Sequence, residues 1–562
     1  MKKIFLIILF YTFICNLLVG QTETEPNNTF DQASILLVNG TQNGSISETD
    51  GVDWFKITIP QGGIIKLLFL SDGGPETNMF IADSTNRNSS IGFASFGFQD
   101  RKRDSIIVPV LKGTYYVHVN RSRGSGFYSI TSSLVILQYS EDTEPNNSYE
   151  NTGILQINGS VTGLIGHYYP GVKDYDPADW YKLKIEQGGI LKLLFISDGG
   201  PETNMFIADS TNRNSTIGFA SFGFKDRKRD SITVPVLKGT YYVYVNRSRG
   251  SGSYSITSSL QILQYPEDKE PNNSYENAGI LQINGSVTGL IGHYYPGVKD
   301  YDPADWYKLK VEKGGILKLL FISDGGPETN MFISDSTNRN SSIGFASFGF
   351  QDRKRDSITI PFLEGTYYVY LNRSRGSGSY LLQSFLTLPK WQEDIEPNDD
   401  YNHAINFMEN DTVTGLINHY NPRLKDYDPA DWYKIGVNSR GLLVIKMESD
   451  SSIENNMFLI DSLRLNSSIA SANFGFKDKV RDSLVAKVDK GTYYIVIYRS
   501  RGSGAYHAVS KLILPPKADF MLNRTGNNAA FENTTTGERT TYLWKFDDNT
   551  SATTINAYKE YK

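Results

Sequence analysis

The string Glu-Pro-Asn begins at Glu25, Glu144, Glu270 and Glu396, at intervals of 119, 126 and 126 residues. A period of about 120 residues is too long for a solenoid unit and is the size of one β-sandwich. Every copy passes the same landmarks in order: Asp-Trp-Tyr or Asp-Trp-Phe, a Gly-rich start to an apolar run, Asn-Met-Phe, a charged turn, Gly-Thr-Tyr-Tyr, and Arg-Ser-Arg-Gly-Ser-Gly. Copies 2 and 3 are nearly identical, and copy 4 has drifted furthest. Copy 1 lacks seven residues between Gly44 and Trp54 that copy 2 carries between Gly163 and Trp180. The chain thus reads as residues 22–138, 139–264, 265–389 and 390–514, followed by a tail, 516–562. Each copy is expected to complete its own sandwich, with the short linkers Tyr139–Thr143, Tyr265–Lys269 and Pro389–Ile395 between copies.

Within a copy the strands are marked by periodicity. Trp180–Ile185 and Thr240–Val245 alternate apolar and polar residues, the pattern of a strand with one buried face. Ile190–Ile196 is a mostly continuous apolar run, suited to a strand buried on both sides. Gly188-Gly189 and Gly199-Gly200-Pro201 mark turns. Helical periodicity is not sustained anywhere, although Asn146, Asn147 and Ser148 are placed to cap one short turn. The fold class is all-β and antiparallel.

Residues 1–20 read as a secretory signal: Lys2 and Lys3, then an apolar stretch from Ile4 to Leu18, then Gly20-Gln21 as the cleavage point. An uncleaved anchor is the rival reading, but Asn16 interrupts the run and it falls short of the ~20 residues of a spanning helix. No later segment has the character of a transmembrane span. The one cysteine, Cys15, lies inside the signal, so the exported chain is expected to contain no disulfide, thiol nucleophile or zinc–thiolate site. A net charge of −5 over 562 residues, with no basic stripe, argues against a nucleic-acid partner. Outside the cell, without disulfides, metal ions are candidates for fastening the sandwiches.

The ordered landmarks resemble the bacterial pre-peptidase C-terminal (PPC) domain: Glu-Pro-Asn-Asn, Asp-x-x-Asp-Trp-Tyr, Gly-Thr-Tyr-Tyr-Val and a closing Gly-x-Gly-x-Tyr strand. That family includes the collagen-binding domains of clostridial collagenases. The resemblance spans all four copies and implies tandem jelly-roll-like β-sandwiches that accompany secreted hydrolases without being catalytic. In the tail, Ala518-Asp519-Phe520, Phe531–Thr534 and Tyr542–Asp548 resemble the start of a PKD domain, which implies a partial immunoglobulin-like β-sandwich. The family's Trp-Asp-Phe-Gly-Asp-Gly stands here as Trp544-Lys545-Phe546-Asp547-Asp548-Asn549, with three departures. The tail is too short for a full sandwich of about 100 residues, so the sequence is expected to be part of a longer protein.

The strongest chemical signal is acidic. Each copy opens with acid-x-Glu-Pro-Asn and later presents Asp-x-x-Asp before its tryptophan. These residues are Glu23, Glu25, Asn27, Asp50 and Asp53 in copy 1, and Asp142, Glu144, Asn146, Asp176 and Asp179 in copy 2. They are Asp268, Glu270, Asn272, Asp302 and Asp305 in copy 3, and Asp394, Glu396, Asn398, Asp428 and Asp431 in copy 4. Converging acids repel, and Ca2+ takes six to eight oxygen ligands of this kind. In the collagen-binding relatives the matching positions hold calcium, and the resemblance implies the same role here. The alternative is a helix-capping turn at Glu-Pro-Asn-Asn and a solvated Asx turn at Asp-Pro-Ala-Asp.

Other motifs carry less. His167, His293 and His419 recur in the inserted loop, each before a tyrosine, and read as a loop contact. The turn Asp226–Asp230 reads as a solvated hairpin, and Arg247-Ser-Arg249, with equivalents at Arg121, Arg373 and Arg499, pairs with the copy's own acids or meets an acidic or sugar ligand. Phe219, Phe222 and Phe224 fit core packing or a sugar- or peptide-binding face. No catalytic motif occurs, although paired carboxylates alone leave glycosidase chemistry open. The expected function is a secreted, non-catalytic, calcium-dependent binding or spacer array that tethers a larger extracellular protein to a protein or polysaccharide polymer, on the cell surface or free. The alternative is the ancillary region of a secreted peptidase or glycan hydrolase whose catalytic domain lies elsewhere.

Overall fold

The computed structural model describes residues 20–85, 89–96, 102–171, 175–211, 216–222, 228–294, 296–297, 301–337, 342–348, 354–450, 453–474, 481–537 and 541–562. Residues 1–19, Phe224, and Asp226 and Arg227 of the Asp226–Asp230 turn lie outside them. Among the described residues no helix is long and apolar enough to cross a membrane.

Copy 2 represents the pattern. Alternation along Ala178–Ile185 and Gly239–Arg249 makes these strands antiparallel neighbours, with Asp179 opposite Val245. They form a five-stranded sheet with Gly153–Ile154, Glu202–Asp209 and Thr216–Phe222. A four-stranded sheet runs Ser160–Ile165, Gly252–Ile262, Gly189–Ser197, Arg229–Val236. Inward residues of both sheets meet in one core that includes Leu183, Leu191, Phe195, Met205 and Val243. The other copies repeat this two-sheet order, giving tandem β-sandwiches. The tail forms a three-stranded and a two-stranded sheet around Phe520, Phe531, Trp544 and Phe546.

Two expectations change. The apolar run at 190–196 is buried on one face only: Leu191, Leu193 and Phe195 enter the core, while Lys192 is exposed. A strand of a two-layer sandwich has one packed face, and Ile190, Leu194 and Ile196 lie half-buried on the other. The short turn after Pro-Asn-Asn is a 3-10 turn in copies 1 and 3, at Phe30–Gln32 and Tyr275–Asn277. No side chain caps it, because the first asparagine faces the acid cluster instead.

The copies do not complete their own cores. The described chain forms two compact units, one running to Leu263 and taking in His293–Tyr301, the other comprising Gln264–Gly292 and Asp302–Lys562. Within the first, the inserted loop of copy 2 places Tyr168 in the core of copy 1. Its backbone pairs with Val110: the Leu111 N–H donates to Tyr168 O at 2.8 Å, and the Tyr168 N–H donates to Pro109 O at 3.0 Å. The Tyr115 hydroxyl donates to Leu111 O at 2.8 Å and lies 3.0 Å from Tyr168 O. The Tyr168 hydroxyl donates to the buried Asp83 carboxylate. Tyr294 enters the copy 2 core in the same way, within the same unit. In the second unit Tyr420 enters the copy 3 core, and Tyr420–Asn421 and Asp426–Tyr427 extend a copy 3 sheet to six strands. Gly113 allows this approach, since a Cβ there would lie 2.6 Å from Pro170. The seven residues that copy 1 lacks belong to this loop.

Tyr168→Ala is expected to destabilise copy 1, to which it does not belong in sequence, by about 3–5 kcal/mol, the cost of an emptied aromatic core site. Urea unfolding followed by hydrogen exchange within residues 103–136 measures it; unchanged protection there would show that copy 1 closes its core alone.

Candidate metal centre

The linker and a distant loop meet where a copy's two sheets begin. Asn146 joins them: its backbone carbonyl accepts from Trp180 N at 2.9 Å, and its Nδ2 donates to Asp142 Oδ2 at 2.7 Å. Asp176 makes an Asx turn, its Oδ1 accepting from Ala178 N at 3.3 Å, and this turn starts the strand that carries Asp179. The Glu–Pro bond of each linker is cis. Gly163 faces the cluster because a Cβ there would stand 2.4 Å from the Tyr254 hydroxyl and 2.9 Å from Asp142.

In each copy, three carboxylates offer oxygen atoms within 4.8 Å of one another: Glu23, Glu25 and Asp53; Asp142, Glu144 and Asp179; Asp268, Glu270 and Asp305; Asp394, Glu396 and Asp431. Asn27, Asn146, Asn272 and Asn398 are buried beside them and bonded to the first acid of each set. Asp176, Asp302 and Asp428 are fully buried next to their sets, where the neighbouring acids oppose their ionisation. Asp50 is the half-buried counterpart in copy 1 and lies against Glu25. The sequence therefore identified residues that do come together. The Asx turn also exists, whereas the asparagine cap does not.

Burial, then the negative neighbours, pushes these acids up: Glu144 to about 7, Asp176 to about 8, and Asp179 far above the usual carboxylate range. Asp302 and Asp428 are pushed to about 9, Glu396 to about 8, and Asp53 to about 8, in each case by burial first. Even so, acceptors remain unused. Asp53 Oδ1, Asp179 Oδ1 and Asp305 Oδ1 are buried without a hydrogen-bond partner, as are the Oδ1 atoms of Asn27, Asn146, Asn272 and Asn398. Inward-facing lone pairs with no donor are costly, and a cation bound by oxygen would satisfy them.

Tyrosines complete the site, and sequence reasoning missed them. The Tyr181 hydroxyl donates to Asp142 at 2.6 Å, and the Tyr254 hydroxyl donates to Asp179 at 2.5 Å, with 2.7 Å between the two hydroxyls. The signal was available: a buried tyrosine beside Asp-Trp needs a hydroxyl partner. Copy 1 has Phe55 in place of Tyr181, and there Tyr128 alone reaches Glu23 and Asp53. Copy 4 adds Asp399, in contact with Asp428.

The remaining candidates make contacts within the chain. His167 and His419 are fully buried, with Nδ1 3.1 and 3.2 Å from the carbonyls of Ile165 and Ile417, and burial pushes each down to about 4. Both are therefore neutral, in keeping with a loop contact. Arg121, Arg247 and Arg373 donate to the carbonyls of Gly124, Gly250 and Gly376, and Arg249 pairs with Glu202. Phe222 is core. Phe219 is exposed at the end of a row in which Trp180, Tyr244 and Phe206 stack on one another at 4.1 and 4.8 Å. Rings stacked against each other have already used their faces, which leaves little platform for a sugar.

No protein-family model matches the chain, and no curated protein matches it. Among solved structures the chain is similar to the pre-peptidase C-terminal domain of collagenase from Bacillus anthracis, at 16% identity over 21% of this chain and 99% of that one, with a TM-score of 0.17. It is also similar to a protein from Eubacterium rectale, at 8% identity over 44% of this chain and 84% of that one, with a TM-score of 0.16. A third likeness is to the arabinofuranosyltransferase AftD from Mycobacteria, at 8% identity over 85% and 34% of the two chains, with a TM-score of 0.14.

The raised carboxyl values fix a sign. An acid whose folded value exceeds its unfolded value stabilises the fold fully below the unfolded value, near 4, and loses that contribution as pH rises through the folded value. Metal-free protein is therefore expected to melt at progressively lower temperature between pH 5 and 9, spanning the values of about 7 to 9 above. Asp179→Asn is expected to raise the midpoint in EDTA at pH 8 and to lower it in calcium. Scanning calorimetry across that range decides; a flat or rising midpoint in EDTA contradicts it.

Proposed function

We propose that each acid cluster holds a divalent cation, calcium by its chemistry, and that the chain is a secreted, non-catalytic array with a binding or spacer role. The supporting observation is the fourfold recurrence of three carboxylates within 4.8 Å, with buried acceptor oxygens that no donor reaches. In copy 2, Asp142, Glu144, Asn146, Asp176 and Asp179 would hold the ion, and the other copies would use their equivalents. Such a set is all oxygen, which suits a hard cation, whereas zinc favours nitrogen and sulfur. The bound ion would supply positive charge to a group of buried acids whose neighbours are negative. Chain residues do the rest: asparagine and the tyrosine pair orient the carboxylates, and the linker is fastened to the sandwich it enters.

This reading treats the four copies as PPC-like domains and the tail as PKD-like, in line with the order of their sequence landmarks. Repetition suits tethering, because linked weak sites gain avidity without new contacts. A tandem array of this kind would carry a larger extracellular protein along, or hold it to, a polymeric protein or glycan.

With calcium at 100 times its dissociation constant, linkage adds about 2.7 kcal/mol to a one-site copy. That is expected to raise the melting midpoint by roughly 5–10 °C, and EDTA to reverse it. Asp305→Asn is expected to remove the part of the shift that the copy 3 site contributes. Co-sedimentation with collagen, chitin, cellulose and whole cells, in calcium and in EDTA, tests the tether. Retention by one polymer in calcium supports tethering; no retention by any reduces the role to that of a spacer.

A further inference from the structure

The loop that plugs the preceding copy leaves and returns at the acid cluster. In copy 2 its base is closed by Asp176, whose carbonyl accepts from Gly166 N at 3.0 Å and whose N–H donates to His167 O at 2.9 Å. In copy 4, Asp428 does the same with Asn418 N at 2.8 Å and His419 O at 3.0 Å. The tyrosine that enters the neighbour directly follows that histidine. The linker side of the cluster is also attached to the preceding copy. Glu141, next to Asp142, accepts from Gly62 N at 3.2 Å and Lys112 N at 3.0 Å, both in copy 1. Glu393, next to Asp394, accepts from Gly314 N of copy 3 at 3.0 Å.

The acids thus come from two arms that both grip the same neighbour. Asp142 and Glu144 lie on the linker arm, and Asp176 lies at the base of the loop arm, with Asp179 just beyond it. We propose that the acid cluster of one copy is the latch that sets how firmly that copy grips the one before it. The inference rests on the cation reading above. With its charge balanced by a divalent cation, the cluster holds linker and loop together, and Tyr168 or Tyr420 stays seated. Without the cation the two arms lose the ligand they share, the loop base loosens, and the tyrosine withdraws. The neighbour then loses a core ring, and a buried aspartate, Asp83 or Asp335, loses the tyrosine hydroxyl that donates to it.

Copy 4 ends the series of latches. At the socket position of Leu111 it has Asp489, which is exposed and paired with Arg440 at 3.5 Å. Gly491, the counterpart of Gly113, meets only its own Tyr493, at 3.8 Å. Asp461, the counterpart of the buried Asp83, is half-buried, and Leu463 replaces Thr85. Copy 1 has a socket and no plug, copies 2 and 3 have both, and copy 4 has a plug with an altered socket.

Hydrogen exchange on the full chain, in calcium and in EDTA, tests the latch, with calorimetry reporting ion uptake in parallel. Calcium is expected to slow exchange at least tenfold in the sockets, residues 106–116 and 358–367. In Asp179→Asn the first of these responses is expected to vanish, although the cluster of copy 1 itself is intact. Asp142→Asn, which alters the linker arm, is expected to act alike. Ion uptake with unchanged socket exchange would overturn the latch and leave the cation reading standing. A calcium response at 106–116 that survives both substitutions would overturn it too, since protection would then arise within copy 1. No ion uptake at all would remove the cation reading and the latch together.

Discussion

Like charges held together out of water are the constraint on which this molecule turns. Two carboxylates less than 5 Å apart repel by about 3–4 kcal/mol at an effective dielectric near 20. Three mutual pairs then approach the whole stability of an ordinary domain, about 5–15 kcal/mol. The trios of copies 2, 3 and 4, each centred on a fully buried aspartate, cannot all be ionised without a counter-charge. Protonation is one relief, and the raised acid values express it. A cation would be the other, and it would use the buried oxygens that have no hydrogen-bond partner. The tyrosine pair serves both states, since a hydroxyl can donate to a carboxylate whether or not a cation is bound to its other oxygen.

The same economy of covalent links explains the interlock. With Cys15 the single cysteine, ahead of the first sandwich, nothing covalent except the main chain joins one sandwich to the next. A tyrosine buried in a neighbour's core, with its backbone in that neighbour's sheet, provides a specific joint. It couples the stability of adjacent copies within each compact unit, so they are not independent beads. Because the joint starts at the acid cluster, charge and packing act on a single element.

Much of the fold was legible in the sequence. The period of about 120 residues, the alternation at Trp180–Ile185 and the paired glycines pointed to tandem sandwiches, and the five polar residues chosen in each copy do lie together. What was not legible depends on partners distant in the chain. Alternation shows that a residue is buried but not in which sandwich, and in the inserted loop the sequence singled out His167 rather than Tyr168. The missing seven residues of copy 1 and the Asp489 of copy 4 were visible as departures, yet they acquire meaning only once the socket at Leu111 and Gly113 is known. Tyr181 and Tyr254 looked like ordinary strand aromatics, because sequence does not show that their hydroxyls converge on Asp142 and Asp179. The run at 190–196 misled because a strand under one packed face can still carry apolar residues on the other.

The most direct test of a cation at each cluster is the stoichiometry of calcium binding to the intact chain, by isothermal titration at pH 7.5 after EDTA stripping. Clusters in four copies predict saturable uptake of four ions per chain, weakest in copy 1, where Phe55 stands for tyrosine and Glu25 is exposed. Asp179→Asn and Asp305→Asn together are expected to leave two. No saturable heat at millimolar calcium, or uptake unchanged by both substitutions, would contradict it.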